Sequence, residues 1–287
     1  MRTTGFALRL AVLATALVLG PATLAPGTAE APSDTPARAG DGTTAAQRYQ
    51  WRTMQWDFAW EFGESLSSGP YRGADIRGGG WQDSSDGTGR VVKWGGGIEF
   101  HSGERYDGAH DRGTTSLTLQ GKPARLGRWE LRERYRLDEA AGADYGFVVE
   151  LVPDGTAPSD CPAYRLTIAR SVPGDGSVRV GVDVGSTEWG KTLTGFSRRE
   201  GDGRLYGVQI TGNRITWFVN GTAKASLAAS EAIPKVPLTV RMRLVGKGAT
   251  EMRKTTELVD WVRNYDLNKG KLPPKGAALT KGTSSVC

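Results

Sequence analysis

Residues 128–137 read RWELRERYRL, and this stretch decides the fold class. Its residues alternate between two faces, a period of two that is typical of a half-exposed antiparallel β-strand. A helix would instead repeat its apolar positions every three to four residues. One face carries Trp129, Leu131, Glu133, Tyr135 and Leu137, and the other carries Glu130, Arg132, Arg134 and Arg136.

Similar segments follow along the chain, separated by Gly, Pro, Asp and Asn. They include YGFVVELVP from Tyr145, SVRVGVDVG from Ser177 and PLTVRMRLVG from Pro237. Two further runs are split by Gly212 and Asn213, which is a hairpin signal. No segment keeps a helical period beyond two turns. Many short strands at regular spacing predict an all-β sandwich or jelly roll of two antiparallel sheets.

The N-terminal residues 1–31 predict a signal peptide. Arg2 and Arg9 supply its positive charge, residues 10–19 its apolar run, and residues 27–29 or 29–31 a small-residue cleavage site. The apolar run is too short to cross a bilayer, and no later stretch approaches about 20 uninterrupted apolar residues. We therefore expect an extracellular protein without a membrane span.

Composition divides the rest of the chain into three parts. Residues 32–47, rich in Pro, Ala, Gly, Ser and Thr, predict a disordered linker. Residues 48–267 predict one β-domain, and residues 268–287 a basic C-terminal tail.

Cys161 and Cys287 are the only cysteines. A disulfide between them would close a loop of roughly 125 residues, worth about 4–5 kcal/mol in the chain-entropy model, but one buried and one exposed thiol remain an alternative.

The charge balance is mildly basic, with 37 Lys and Arg against 31 Asp and Glu. This surplus favours an acidic partner without requiring one. Anionic polysaccharide fits it, whereas the sequence contains no recognisable nucleic-acid-binding module. We expect a monomer that binds no nucleic acid.

Five segments in the same order resemble the family 16 glycoside hydrolases, which are jelly rolls of the concanavalin A-like type. The resemblance covers roughly residues 51–267. The segments are GRWELR (127–132), YGFVVELVPD (145–154), DCPA (160–163), ITWFVNG (215–221) and LVDWVRNYDL (258–267).

The resemblance implies that the strand after DCPA is the family's catalytic strand, whose motif is E-x-D-x-x-E. Retaining hydrolysis needs two carboxylates about 5–5.5 Å apart. The matching positions in this chain are Arg165, Thr167 and Arg170. The nucleophile, the helper acid and the general acid are therefore all replaced, so we lean against an enzyme.

These observations predict a secreted carbohydrate-binding protein that holds polysaccharide in the concave groove. Guanidinium groups bind carboxylate, sulfate or phosphate in a planar, bidentate way, and indole rings stack on sugars. The same arginine stripes would also fit a solvated face or pairing with nearby carboxylates. The candidate ligand-binding residues are Arg165, Thr167, Arg170, Arg132, Arg134, Arg241, Arg243, Trp81 and Trp94.

Two other functions stay open at this point. An active glycoside hydrolase on β-linked polysaccharide would need relocated acids, for which Glu150 and Glu130 are the candidates. A non-catalytic envelope or matrix protein would use the sheets to contact protein. No cofactor is expected; the family resemblance allows a structural calcium ion, with Asp57 and Asp266 as the candidate ligands.

Overall fold

The computed structural model describes residues 42–59, 80–85, 89–94, 97–102, 113–138, 142–157, 160–197, 199–246 and 252–284. The predicted signal peptide and residues 32–41 of the predicted linker lie outside this part of the chain. None of the described helices has the length and apolar character that a membrane crossing needs.

Strands make up nearly all of the regular structure, as the period of two predicts. A short 3-10 helix at Ser230–Ala232 lies between the thirteenth and fourteenth strands. In chain order the other elements are α1 (Ala45–Arg48), β1 (Met54–Ala59), β2 (Gly80–Asp83), β3 (Arg90–Trp94), β4 (Gly97–His101), β5 (Thr115–Gln120), β6 (Gly127–Leu137), β7 (Gly146–Pro153), β8 (Tyr164–Ser171), β9 (Val178–Val184), β10 (Thr187–Leu193), β11 (Arg204–Ile210), β12 (Ile215–Val219), β13 (Thr222–Leu227), β14 (Leu238–Val245), β15 (Thr255–Tyr265), β16 (Ala277–Ala278) and β17 (Thr280–Thr283).

The strands form two sheets. Sheet 1 has the order β16-β13-β12-β11-β6-β15-β4-β3, with β1 also paired to β15, and sheet 2 has the order β17-β10-β9-β8-β7-β14-β5-β2. The described strand pairs are antiparallel, apart from the parallel pair of β13 and β16. The prediction of an all-β sandwich of two antiparallel sheets is confirmed.

The core lies between the two sheets, and the alternation along each strand decides which side chains face it. In β14 the side chains of Val240 and Met242 are buried in the core. Arg241 and Arg243 alternate with them and therefore face out of sheet 2. In the other strands, too, the side chains that alternate with core residues face out of their sheet.

The N-terminal segment packs on the outer face of sheet 1. Thr44 caps α1 in a capping box with Gln47, and Ala45 and Ala46 pack in an apolar cluster with Phe218. The prediction of disorder is therefore wrong for residues 44–47. Their small and polar side chains are typical of disorder, but here they begin a helix that is stabilised by packing on the sheet.

Residues 268–284, here called the C-terminal strap, also differ from their prediction as a tail. Within the strap, β16 pairs with β13 at the edge of sheet 1, and β17 pairs with β10 at the edge of sheet 2. The Arg128 guanidinium donates to the carbonyls of Asp266 and Lys269, at 2.6 Å each. Composition misses these strands because they pair through the backbone groups of the sheet edges, which leave no pattern in the side chains of the strap.

Cys161 is disulfide-bonded. Cys287, the only other cysteine of the chain, lies outside the described residues. The pairing of the two stays a prediction.

Candidate functional site

A β-bulge in β8 sets the geometry of the strand that resembles the family's catalytic strand. Between Thr167 and Arg170 the pairing of β8 with β9 shifts by one residue. Ile168 and Ala169, two successive residues, are therefore both buried in the core, each 1% exposed. Because of this extra residue, Arg170 faces away from the core, on the opposite side of the sheet from Ile168 and Ala169. Arg165, Thr167 and Arg170 thus all face out of sheet 2, as the spacing of the family motif requires.

A hydrogen bond across the sandwich supports this bulge. The indole Nε1 of Trp217, in β12 of sheet 1, donates to the backbone carbonyl of Thr167 over 2.9 Å. Trp217 is fully buried. The bulge in sheet 2 is therefore held from the opposite sheet, through the core.

Glu150 lies on the same outer face, in β7, and is 0% exposed. Its Oε1 is 2.8 Å from Arg241 Nε and 2.8 Å from Arg243 Nη2. Its Oε2 is 3.8 Å from Arg165 Nε. We call Glu150 and these three arginines the arginine cluster. Since Arg241 is also 0% exposed, this carboxylate and guanidinium form a fully buried ion pair.

Positive charge exceeds negative charge in this cluster. Burial lowers the pKa of the Arg243 guanidinium, Arg241 and Arg165 lower it further, and Glu150 raises it. Arg165 is also bound to Asp183, whose Oδ2 lies 2.8 Å from Arg165 Nη2. Three arginines thus share two carboxylates, an arrangement that can attract a further anion.

Arg170 adds an exposed cation to this face. Within the described residues its guanidinium has no hydrogen bond or ion pair, and it is solvent-exposed. Its neighbour across the strand pair is Arg179, which is bound to Glu188. Arg170 can therefore bind an anion without first breaking a contact.

Arg132 and Arg134 do not join the arginine cluster. They lie in β6 of sheet 1, face away from the core, and both bind Asp260. The expectation that all predicted arginine stripes share one groove is therefore wrong for these two residues. Periodicity assigns a residue to a face of its own strand, but it does not tell which sheet the strand enters.

Glu130 and Glu150 are also separated. Glu130 lies on the outer face of sheet 1 beneath α1, where the backbone N–H of Ala45 donates to its Oε1 over 2.5 Å. Glu150 lies on the outer face of sheet 2. Two carboxylates on opposite sheets cannot flank one glycosidic bond, so the structure does not form the relocated acid pair.

Glu130 gives a prediction for the dependence of stability on pH. Burial raises the pKa of its carboxyl group from 4.5 to about 7, although the backbone N–H groups of Ala45 and Ala46 and the charge of Arg263 lower it. Because the raised value belongs to the folded state, ionisation of Glu130 removes stability as the pH rises from about 4.5 to 7. Glu130→Gln should match the wild type at pH 5 and exceed it at pH 8, by up to about 3 kcal/mol.

Urea unfolding of both proteins at pH 5 and pH 8 measures this difference. Glu231→Gln, at a side chain that is 54% exposed, serves as the control and should show no difference between the two pH values. A Glu130→Gln effect of equal size at both pH values would contradict the argument.

Of the two tryptophans predicted to stack on sugar, the structure describes the side chain of only one. Trp81 is 1% exposed and packs in the core, so its prediction is wrong; the Gly-rich residues before it suggested a loop, but Trp81 belongs to β2. The side chain of Trp94 lies outside the part of the protein that the structure describes, so its role in stacking on sugar stays a prediction.

The calcium candidates have protein contacts. Asp57 Oδ1 is 3.3 Å from Arg263 Nε, and Asp266 accepts from the backbone N–H of Asn268 over 3.0 Å. Among the described residues, no group of three or more His, Cys, Asp or Glu side chains is placed to hold a metal ion. Calcium binding stays an untested prediction.

Two hydroxyl residues on the outer face of sheet 2 were not predicted from the sequence. Ser116 and Thr118 lie in β5, whose intervening residues Leu117 and Leu119 belong to the core. The alternation of hydroxyl and leucine in TSLTLQ was the available signal. Hydroxyl residues are common on solvated strands, so the pattern alone does not indicate a site.

No protein-family profile matches the sequence, and no curated protein matches it. Solved structures do. The laminarinase from Rhodothermus marinus is 17% identical, with a TM-score of 0.57 over 75% of this chain and 97% of that one. The catalytic domain of an endo-1,3-β-glucanase from Thermotoga petrophila is 12% identical, with a TM-score of 0.55 over 77% of this chain and 100% of that one.

The chain has the fold of the family 16 glycosidases. A further neighbour is a non-specific endo-β-1,3(4)-glucanase from that family, 12% identical with a TM-score of 0.56 over 75% of this chain and 95% of that one. Identities this low establish a shared fold and nothing more specific. The fold that the five sequence segments imply is thereby confirmed.

Proposed function

We propose that this protein is exported and binds an anionic polysaccharide, without cleaving it, on the outer face of sheet 2. One observation carries the proposal. The strand that corresponds to the catalytic strand keeps its bulge and its outward-facing positions, but presents Arg165, Thr167 and Arg170 there. By the family resemblance, two of the three acid positions of a glycan-cleaving strand carry arginine in this chain and the third carries Thr167.

The state of Glu150 supports binding over cleavage. A retaining glycosidase needs one carboxylate to attack the anomeric carbon and a second to protonate the leaving group. Glu150 is fully buried and bound by Arg241 and Arg243. A carboxylate that is fully buried beside two arginines does not contact a sugar above the sheet.

The nature of the ligand follows from the charges and from the fold. Arg170 offers an exposed guanidinium, a group suited to bidentate recognition of anions. The structurally similar β-1,3(4)-glucanase was crystallised with a glucan oligosaccharide at its active site. A glycan bound on this face would agree with the glucan found in this structural neighbour. Anionic groups on the glycan would bind the exposed guanidinium of Arg170.

The test uses retention on neutral and anionic polysaccharides, together with release of reducing ends. Arg170→Glu should weaken binding to an anionic glycan by about 10- to 100-fold, because one charge-assisted hydrogen bond is worth about 1.5–3 kcal/mol. Wild-type binding should also weaken with added salt. Arg136→Glu is the matched control, since it makes the same charge change at an exposed site of sheet 1.

Two results would overturn the proposal. Release of reducing ends by the wild type would show that the protein is a hydrolase. Equal losses for Arg170→Glu and Arg136→Glu would show that net charge, and not the face of sheet 2, attracts the polysaccharide.

A further inference from the structure

Residues 48–54 and 265–272, here called the terminal ribbon, run side by side on the outer face of sheet 1. Two backbone N–H groups of the second segment donate to carbonyls of the first: Lys271 to Tyr49 over 2.6 Å, and Asp266 to Thr53 over 3.0 Å. The three aromatic side chains of the ribbon are buried in the apolar cluster below it. The ribbon is therefore anchored to the sheet through both of its segments.

The ribbon is strongly basic. It has four cations and one acid, so this short part of the chain carries half of the net charge of +6. The cations are all solvent-exposed: Arg48, Arg52, Lys269 and Lys271. Among the described residues, none of these four side chains is in an ion pair. The one acid, Asp266, accepts from the backbone N–H and the side-chain amide of Asn268, so the charge that the ribbon offers to a partner is positive.

Exposed apolar side chains flank these cations. Leu272, directly after Lys271, is 77% exposed, and Met54, two residues after Arg52, is 43% exposed. They are two of the three large hydrophobic side chains that are exposed in the described part of the chain; the third is Val236. Binding to an anionic bilayer scales with the apolar area buried in it and with the attraction of cations to its headgroups. A charged polysaccharide would account for the cations alone, whereas a bilayer also accounts for the exposed leucine.

We propose that the terminal ribbon docks this protein on the surface of an anionic lipid bilayer. The lysines and arginines contact the lipid phosphates, and Leu272 enters the boundary between headgroups and acyl chains. This inference does not depend on the proposed function. The two are compatible, because the ribbon lies on the outer face of sheet 1 and the proposed glycan-binding face belongs to sheet 2. A docked molecule would hold polysaccharide on the side that faces away from the bilayer.

The test is co-sedimentation with vesicles of phosphatidylcholine alone and of an equal mixture of phosphatidylcholine and phosphatidylglycerol. The protein is used from residue 32 onward, because the apolar run of the predicted signal peptide would itself bind lipid. The wild type should bind the mixed vesicles at least about 100-fold more tightly than the neutral ones, since each Lys or Arg at an anionic surface is worth about fivefold in affinity. Added salt should reduce this difference.

Two variants separate the contribution of charge from that of apolar area. Lys269→Glu/Lys271→Glu should weaken binding to the mixed vesicles by at least about 25-fold. Leu272→Ser should weaken it by about 10-fold and leave its dependence on salt unchanged, because the substitution removes apolar area and no charge. Since all three side chains are exposed, the Tm of both variants should match that of the wild type.

The matched control makes the same charge change beside the third exposed apolar side chain. Lys235 directly precedes Val236, which is 45% exposed, and Arg125 donates to the neighbouring Pro234 carbonyl over 3.5 Å. Arg125→Glu/Lys235→Glu should bind the mixed vesicles within about threefold of the wild type, because charges that lie away from the bilayer are screened at physiological salt. A loss as large as that of Lys269→Glu/Lys271→Glu would mean that net charge alone attracts the lipid, and the proposal would be wrong.

Glycan binding separates this proposal from the proposed function. Lys269→Glu/Lys271→Glu should keep the wild-type affinity for an anionic polysaccharide. If the wild type binds both kinds of vesicle equally, or neither, the ribbon is not a membrane-docking surface, and the proposed function stands on its own test. If the wild type binds no vesicles and Lys269→Glu/Lys271→Glu loses glycan binding, the ribbon belongs to a glycan site instead.

Discussion

Replacing Glu150 by glutamine should destabilise the protein more than any other single change of one polar side chain described above. The substitution leaves Arg241, which is fully buried, and Arg243 without the carboxylate that binds them. Removing one partner of a buried ion pair costs about 3–5 kcal/mol, because the remaining charge stays in a region of low dielectric constant. For a domain of this size that corresponds to a fall in Tm of about 10 °C.

Thermal unfolding followed by circular dichroism would measure the effect. Glu188→Gln is the matched control, because it removes the partner of Arg179, whose side chain is 44% exposed; surface pairs contribute less than about 1 kcal/mol. Adding Arg241→Met to Glu150→Gln should restore part of the lost stability, since it removes a buried charge that has lost its partner. A Tm within about 2 °C of the wild type for Glu150→Gln would refute this account of the arginine cluster.

This result bears directly on tests of catalysis. Glu150 is also the first candidate for a relocated catalytic acid, so Glu150→Gln would be the natural variant for an activity assay. A loss of activity in an unfolded variant would have no mechanistic meaning. Folding must therefore be measured before turnover.

Changing Trp217 is the second substitution for which a large effect is expected. Trp217→Ala should cost about 3–5 kcal/mol, because it opens a cavity in the centre of the core. Trp217→Phe keeps most of the volume and removes the hydrogen bond from Nε1 to the Thr167 carbonyl. The buried carbonyl then loses this donor, at a cost of about 1–3 kcal/mol.

Trp217→Phe should also weaken glycan binding, although Trp217 does not reach the outer face of sheet 2. Without the hydrogen bond the bulge in β8 is less firmly held, and the bulge is what directs Arg170 outward. Trp129→Phe, at a core tryptophan in the same sheet, is the control. If both variants lose stability but neither loses glycan affinity, the bulge does not depend on Trp217.

The sequence allowed the strands and their faces to be predicted, because alternation is a local property. The spacing of Arg165, Thr167 and Arg170 is compatible with one shared face only if the strand contains a bulge, because only an extra residue brings the last of them to that face. The choice of sheet is not local: Arg132 and Arg241 occupy similar patterns, and long-range pairing sends them to opposite faces of the sandwich.

Pairing of the arginines with nearby carboxylates was one of the alternatives that the sequence left open, but the sequence could not show which arginines bind Glu150. Its counterions come from β14 and β8, which pair with β7 on either side. In the sequence Glu150 is an isolated acid in an apolar run, and such a residue can equally be a catalytic group or half of an ion pair. Only the sheet order decides between the two.

The C-terminal strap has a consequence for the edges of the two sheets. An unpaired edge strand is a template on which another chain can add a strand. The strap covers the edge of β13 with β16 and the edge of β10 with β17, so one segment pairs with one edge of each sheet. A chain cut before residue 276 would keep every residue of the proposed binding face but would leave β13 and β10 as edge strands on which another chain could pair.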